Sequence, residues 1–159
     1  MPDAPKKSIA AQIVDLVLQS INSGSMDLWI SQDETPYLSW WKINHYEHFS
    51  LNSEKTKQHL GSYFHEKSGE MASGSALADA ITILSGYARK RKTYPIFLRV
   101  GKDKDTIYID IGDATWQSIM ITPTGWQIID NPPIKFRRPK GMLPLPRPIQ
   151  DGSIEDLRP

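Results

Sequence analysis

The sequence predicts an α+β domain, in which helices and a short hairpin precede an antiparallel meander and an extended tail. Apolar residues repeat at the helical period in three segments before residue 90, and from Tyr94 onward the period changes to two. After Asn131, prolines fix the backbone and remove hydrogen-bond donors, so this segment is neither a helix nor a central strand. At 159 residues the chain is long enough for one such domain.

The N-terminal third combines a capped helix with an aromatic-rich hairpin. The expected elements are a helix capped by Ser8 and running to about Ser20, a strand over 27–30, a turn over 33–36, and a strand over 37–45, or two strands with a bend near Lys42. Trp40 and Trp41 are adjacent, and neighbouring strand residues point to opposite faces. One ring is therefore expected in the core, and the other covers a second layer or stays exposed for base stacking.

Two helices and four strands complete the predicted domain. Asn52 or Ser53 caps a helix to about Lys67, and Ser73 or Ser75 caps another that ends in a basic turn after Tyr87. The two helices are expected to pack together. The strands of the meander are expected at 95–100, 106–111, 116–121 and 126–129, with glycine-containing turns between them. We expect residues 1–148 to form this single domain and 149–159 to be a linker toward a further domain.

Positive charge is concentrated in two stretches, although the net charge is only +1. Residues 87–104 carry seven basic side chains against Asp103, and 131–150 carry five and no acid. A positive face of this kind is typical of proteins that bind polyanions, whereas the alternative is a solvated helix end plus a disordered tail. The candidate phosphate-contacting residues are Arg89, Lys90, Arg91, Lys92, Arg99, Lys102, Lys104, Lys135, Arg137, Arg138, Lys140 and Arg147.

Composition and motifs argue against several classes of protein. There is no cysteine, no long apolar run and no signal peptide, so we expect a cytoplasmic protein with neither disulfides nor a membrane anchor. A P-loop motif is absent. No catalytic motif is visible, so the chain is not expected to be an enzyme, and no cofactor is expected.

Histidines and aspartates are the remaining candidates for chemistry. His45, His48, His59 and His65 are the only histidines, and His59 and His65 fall on different faces of one predicted helix, so surface histidines are favoured over a metal site. The aspartate pairs at 103 and 105 and at 110 and 113 fall at hairpin turns. Aspartate is common there for local hydrogen bonding, which is favoured over a catalytic carboxylate cluster.

Three segments carry a resemblance to a known family: 107–112 (IYIDIG), 121–126 (ITPTGW) and 131–146 (NPPIKFRRPKGMLPLP). The chain resembles the N-terminal region of large bacterial proteins, often linked to phage or mobile elements, whose later part is a P-loop ATPase of the helicase or primase-helicase kind. In those proteins a similar segment ends near a counterpart of 152–159 (GSIEDLRP). The resemblance spans nearly the whole chain and is strongest from Pro95 onward. It implies a DNA-associated accessory domain that precedes a motor, with 149–159 as the linker toward a C-terminal ATPase domain.

Two functions of different classes follow. The first is a nucleic-acid-binding domain that contacts DNA phosphates without reading sequence. The second is a protein-interaction or oligomerisation module, in which Met142, Leu143 and Leu145 dock on the ATPase or on a second copy of the chain.

Overall fold

The computed structural model describes residues 5–158, apart from the side chains of Ile154 and Leu157, and confirms the α+β class. Residues 1–4 of the expected domain and Pro159 of the expected linker lie outside the described residues. The helices are α1 (Ile9–Asn22), α2 (Glu54–Ser68) and α3 (Gly74–Arg89), with a short 3-10 helix at Ile154–Leu157. The strands are β1 (Met26–Ser31), β2 (Pro36–Trp41), β3 (Tyr46–Ser50), β4 (Thr93–Tyr94), β5 (Ile96–Phe97), β6 (Val100–Asp103), β7 (Thr106–Asp110), β8 (Ser118–Thr122), β9 (Gly125–Ile129) and β10 (Lys135–Phe136).

Serine caps begin the three helices. Ser8, Ser53 and Ser73 each accept a hydrogen bond from the backbone N–H three residues later, which satisfies one of the free donors at a helix start. Where the sequence offered two candidates for a cap, the structure uses Ser53 and Ser73. Gly69 ends α2 in the left-handed conformation, with φ of 73°, which glycine adopts without steric cost.

A four-stranded sheet in the order β3-β2-β1-β4 packs against the helices, and we term it the helix-backed sheet. β1 pairs antiparallel with β2 and parallel with β4. The core between this sheet and the helices contains Ile13, Val17, Leu28, Leu38 and Leu84, each at most 1% exposed. Burial of these side chains is the main force that holds helices and sheet together.

The adjacent tryptophans divide between core and surface. Trp40 lies on the helix side, with its ring 5.1 Å from that of Tyr63. Trp41 is 38% exposed and contacts the Tyr46 ring on the neighbouring strand. The expected strand at 37–45 is two strands, because the chain turns after Trp41 and returns as β3, which extends to Ser50.

The other face of the helix-backed sheet carries polar and aromatic side chains, because strand side chains alternate between faces. Trp29 stacks on Tyr37 with ring centroids 4.6 Å apart, and Ser39 and His48 lie in the next register row. Both Trp29 and Ser39 are fully buried. The C-terminal half of the protein covers this face.

The second four-stranded sheet is the antiparallel meander β6-β7-β8-β9. The strand expected at 95–100 is wrong as one element, since it divides into β5 and β6. β5 pairs with β10 of the tail, whereas β6 pairs with β7, so the chain changes partner at Leu98 and Arg99. Phe97 and Phe136 then pack with Tyr108 between the ribbon β5-β10 and the inner face of the meander.

The tail is extended, as expected, and it is docked on the domain. Lys135–Phe136 forms a parallel strand with β5, and the Arg137 amide donates to the Phe97 carbonyl at 2.8 Å. Further along, the Leu145 amide donates to the Ile111 carbonyl at 2.8 Å. Within the described residues, no helix combines the length and apolar character needed to cross a membrane.

Candidate nucleic-acid interface

A groove follows the outer edge of β3. Its other walls are the first turn of α2, the loop at 112–116 and the tail at 138–142. The volume is about 850 Å³, and a hollow of about 380 Å³ adjoins it toward Leu98. The two share a central set of residues, and we treat them together as the β3 groove. The residues that define it are His48, Phe49, Lys55, Trp116, Arg137 and Lys140.

Arg138 fixes the tail at the base of the groove. Its guanidinium donates to both carboxylate oxygens of Asp110, at 2.9 and 2.6 Å, and also to the Asp113 carbonyl. The Arg138 side chain is 13% exposed and that of Asp110 is 2% exposed. Two parallel bonds between guanidinium and carboxylate are a strong and geometrically specific pairing. Arg138 and Asp110 are therefore mutually neutralised, and neither offers a free charge to a ligand.

Trp116 contacts Arg138 and lies near the rings of His45 and His48. The guanidinium carbon of Arg138 is 3.9 Å from the Trp116 ring centroid, and the His45 ring is nearly parallel to it at 6.3 Å. The Trp116 backbone is left-handed, with φ of 56°, a conformation that a bulky residue rarely adopts. The cation–π contact and the flanking rings hold this conformation in place. Because the Arg138 guanidinium covers one ring face, Trp116 serves as a wall of the groove.

His48 is buried below the groove as a neutral imidazole. Burial lowers the pKa of His48 well below 6.5, and the cationic side chains of Lys135 and Arg138 lower it further. Its Nδ1 is 2.7 Å from the Ser39 hydroxyl, which is 2.7 Å from the Trp29 indole nitrogen. These three side chains therefore form one hydrogen-bonded chain across the sheet.

Three of the five basic residues of the tail are engaged in contacts within the protein. The Lys135 ammonium lies over the rings of Trp29 and Tyr94, at 4.9 and 4.7 Å. Burial lowers the pKa of Lys135, and the Asp27 carboxylate opposes this change. Arg138 is bound to Asp110, and Arg147 pairs with Asp113 at 3.0 Å. The structure thus uses these cations to attach the tail.

Arg99 also holds the tail. Its guanidinium donates to the carbonyl of Leu143 at 2.7 Å and to the carbonyls of Asp110 and Ile111 at 3.2 Å. The main-chain bond from Leu145 to Ile111 lies beside this contact. Leu143 and Leu145 are 76% and 36% exposed, whereas Met142 is half-buried and lines the groove.

The cluster 89–92 lies apart from the β3 groove. It borders a separate shallow hollow with Asp27 and Tyr94, and Arg91 pairs with Asp27 at 3.7 Å. Lys102 and Lys104 are exposed around the β6–β7 turn. The structure therefore divides the predicted cations among three places. Within residues 5–158, nine of them have no acidic partner within ion-pair distance: Arg89, Lys90, Lys92, Arg99, Lys102, Lys104, Lys135, Arg137 and Lys140.

Lys55 is a groove residue that sequence reasoning missed. It lies in the first turn of α2 and borders both parts of the groove. A cation at a helix N-terminus is disfavoured by the helix dipole, so its position after the Ser53 cap was a usable signal. Phe49 and Trp116 were also missed as groove residues, because only the tertiary fold brings them to this edge.

Histidines and aspartates do not gather into a metal site. In the described part of the chain, no three histidine, aspartate or glutamate side chains converge in a way that could hold an ion. His59 contacts the rings of Trp40 and Phe49, while His65 is exposed on the same helix. Asp103 and Asp105 lie at the β6–β7 turn, away from the pair formed by Asp110 and Arg138.

Comparisons with known proteins found no match to this chain among protein-family models, curated proteins or solved structures.

Proposed function

We propose that this chain binds nucleic acid through low-specificity contacts with phosphates, centred on the β3 groove. One observation carries the proposal: three cations without acidic partners line the groove, whereas two of its three acids are paired with other cations. Lys55, Arg137 and Lys140 have no acid within 4.0 Å in the described residues. Unpaired cations along a groove attract a polyanion and release its counterions on binding.

Two acidic side chains of the groove are paired with cations. Among the acidic side chains that line the groove, Glu54 lies 3.9 Å from Lys57, and Asp113 lies 3.0 Å from Arg147. Glu47 is 3.4 Å from the His45 ring, whose Nδ1 already donates to Asn44 Oδ1, so among the described residues Glu47 is the one uncompensated acid that faces the three free cations. Positive charge therefore prevails in the groove.

Single strands suit the groove better than a duplex. Its wall offers the half-buried rings of Phe49 and His59, and aromatic faces next to cations are what extended single strands use for stacking. We propose DNA as the partner, because the sequence resembles accessory domains that precede helicase-like ATPases of mobile elements. In this proposal the chain acts by binding, and the motor chemistry belongs to an ATPase domain.

Fluorescence anisotropy with labelled single- and double-stranded DNA, over about 50 to 200 mM salt, tests the proposal. We expect the triple variant Lys55→Gln/Arg137→Gln/Lys140→Gln to bind single strands more weakly. The slope of log affinity against log salt should fall by about 2, given about 0.7 for each single-strand phosphate contact.

The matched control removes three charges elsewhere, as Lys6→Gln/Lys7→Gln/Lys67→Gln. These residues lie on the exposed surface away from the groove. The control should retain the wild-type slope. Absence of binding at the lowest salt, or an equal loss in both triple variants, would overturn the proposal.

A second candidate, the protein-interaction module, is favoured by the tail. Leu143 is 76% exposed, although the bonds from Arg99 to the Leu143 carbonyl and from the Leu145 amide to Ile111 hold the backbone there, and Ile149 further along is 78% exposed. An ordered segment with exposed apolar side chains suits docking on an ATPase domain or on a second copy of the chain. Sedimentation of wild type and of Leu143→Ser/Ile149→Ser checks the second case. Association that the variant abolishes supports it, and a wild type that stays monomeric contradicts it.

A further inference from the structure

We infer that the β3 groove contains a binding site for one phosphate group, formed by the Nε2–H of His48, the first-turn amides of α2 and the Lys55 ammonium. The inference rests on the proposed function and deepens it, because it names the point where a phosphate is held. The same chemistry suits a phosphodiester of a DNA strand and a free phosphate, and the experiment below separates these sources.

The hydrogen-bond partners of His48 determine which ring nitrogen carries the proton. The Trp29 indole N–H donates to Ser39 Oγ, so the single hydroxyl hydrogen of Ser39 is free to donate to His48 Nδ1. A neutral imidazole whose Nδ1 accepts carries its proton on Nε2. His48 therefore presents an N–H donor from its Nε2 edge.

That donor is unused within the protein. His48 is 9% exposed, and its Nε2 has no hydrogen-bond partner in the described part of the chain. Ser118 Oγ is the one fully buried side-chain polar atom without a partner there, so His48 Nε2 is not sealed in the interior. His48 lines both parts of the groove, so its accessible Nε2 edge is reached from them. An unpaired donor on a side chain that is nine-tenths buried is available to a ligand that accepts a hydrogen bond.

The start of α2 supplies further donors. Ser53 lines the groove and uses its hydroxyl to cap the Thr56 amide, while the Thr56 and Lys57 amides reach the Ser53 carbonyl. The amides of Glu54 and Lys55 have no acceptor among the described residues. α2 is 15 residues long, so its dipole adds partial positive charge at this end. Helix starts with free amides are natural sites for phosphate.

Lys55 adds a full positive charge to the partial charge at the start of α2. A lysine in the first turn is unfavourable for an isolated helix and becomes favourable once an anion binds next to it. Its ammonium lies 5.9 Å from the Phe49 ring centroid, at the junction of the two parts of the groove. Glu54 is the nearest acid in sequence, and it lies within 3.9 Å of Lys57.

The test is NMR of the wild-type chain with ¹⁵N-labelled histidine side chains and backbone amides. The probes are inorganic phosphate, a ten-nucleotide oligothymidylate without terminal phosphates, and the same strand with a 5′-phosphate. We expect saturable shifts of the His48 Nε2 signal and of the Glu54 and Lys55 amides. Shifts with the strand lacking terminal phosphates identify a phosphodiester as the ligand. Shifts with inorganic phosphate or only with the phosphorylated strand identify a phosphate monoester or free anion.

A variant tests the charge without disturbing the core. Lys55→Gln should weaken binding by about tenfold to a hundredfold, since a hydrogen bond to a charged group contributes about 1.5 to 3 kcal/mol. Lys67→Gln, at the other end of the same helix, should bind as wild type.

The outcomes separate this inference from the proposed function. If the groove triple variant weakens DNA binding while none of the three probes shifts His48, Glu54 and Lys55, the phosphate site is overturned and the proposed function stands. If phosphate shifts these signals but no DNA binds at low salt, the site stands and the proposed function is overturned. If neither is seen, both are wrong.

Discussion

Arg138 and Asp110 lie 28 residues apart in the sequence and are joined by two hydrogen bonds of 2.9 and 2.6 Å between guanidinium and carboxylate. Asp110 ends β7 of the meander, and Arg138 follows β10 of the tail. The pair therefore connects the tail to the meander, and the Trp116 ring covers it at 3.9 Å from the guanidinium carbon. A basic segment that resembles a free arm is in fact attached through the interior of the molecule.

Two adjacent arginines of the tail should consequently differ in their effect on stability. Arg138→Gln leaves the buried Asp110 carboxylate without its partner, and breaking a buried pair costs about 3 to 5 kcal/mol of unfolding free energy. Arg137→Gln changes an exposed residue and should stay within about 0.5 kcal/mol of wild type. Urea denaturation followed by tryptophan fluorescence measures both. Equal effects would show that the tail is not attached through Arg138.

Replacement of Gly101 and of Gly86 by alanine should change the stability of the protein in opposite directions. A Cβ at Gly101 would lie 2.6 Å from the Phe97 ring and 2.5 Å from the Ile134 side chain. Gly101→Ala should therefore displace the β5-β10 ribbon from the meander and cost about 1 to 3 kcal/mol. Gly86 lies in α3 with open space around it, so Gly86→Ala should stabilise the protein by about 0.5 to 1 kcal/mol.

Thermal and urea denaturation of the two variants measure whether each substitution raises or lowers the free energy of unfolding. A neutral Gly101→Ala would mean that the ribbon and the meander are not in close contact at this point.

The helices and most of the strands could be predicted from sequence because their caps and apolar periods lie within each element. Ser8, Ser53 and Ser73 precede apolar residues at the helical period, and a hydroxyl cap acts within one turn. The strands β7 to β9 follow the period of two, since each is long enough to show the alternation. The class and most elements follow from these signals alone.

Pairing between distant segments could not be predicted in the same way. The segment 95–100 alternates like one strand, but its halves pair with β10 and β7, two strands that lie far apart from each other in the sequence. Likewise, nothing local distinguishes Arg138, which is buried on Asp110, from its exposed neighbour Arg137. The fold therefore decides which cations are bonded within the protein and which remain available to a ligand.

The depressed pKa of His48 predicts how stability depends on pH. In the unfolded chain a histidine binds a proton near pH 6.5, whereas the folded protein keeps His48 neutral well below that value. The unfolded state thus binds more protons in acid, and the free energy of unfolding should fall as the pH falls below about 6.5. One such histidine gives a slope of at most about 1.4 kcal/mol per pH unit.

Urea denaturation from about pH 7.5 to pH 5 measures this slope. His48→Gln should reduce it, whatever its effect on the absolute stability. Burial also lowers the pKa of His59, so His59→Gln should remove a further, smaller part. A slope that persists unchanged in the His48→Gln variant would contradict the prediction.

Two fully buried serines should respond in opposite ways to the same substitution. Ser39 is 0% exposed, accepts from the Trp29 indole and bonds to His48 Nδ1. Ser39→Ala leaves both partners unsatisfied in the interior, which should cost about 1 to 3 kcal/mol of unfolding free energy. Ser118 is also 0% exposed, but its hydroxyl has no partner in the described residues. Ser118→Ala removes an unpaired polar group, so the variant should equal or exceed wild type in stability.

The comparison also tests the hydrogen-bonded chain that orients His48. Loss of the Ser39 hydroxyl should change the balance of His48 tautomers, visible in its side-chain ¹⁵N shifts, because Nδ1 no longer accepts from Ser39. Ser118→Ala should leave those shifts unchanged. Equal stabilities for the two variants, with unaltered His48 shifts in both, would mean that Ser39 does not set the proton on Nε2. The donor proposed to face the groove would then have no fixed direction.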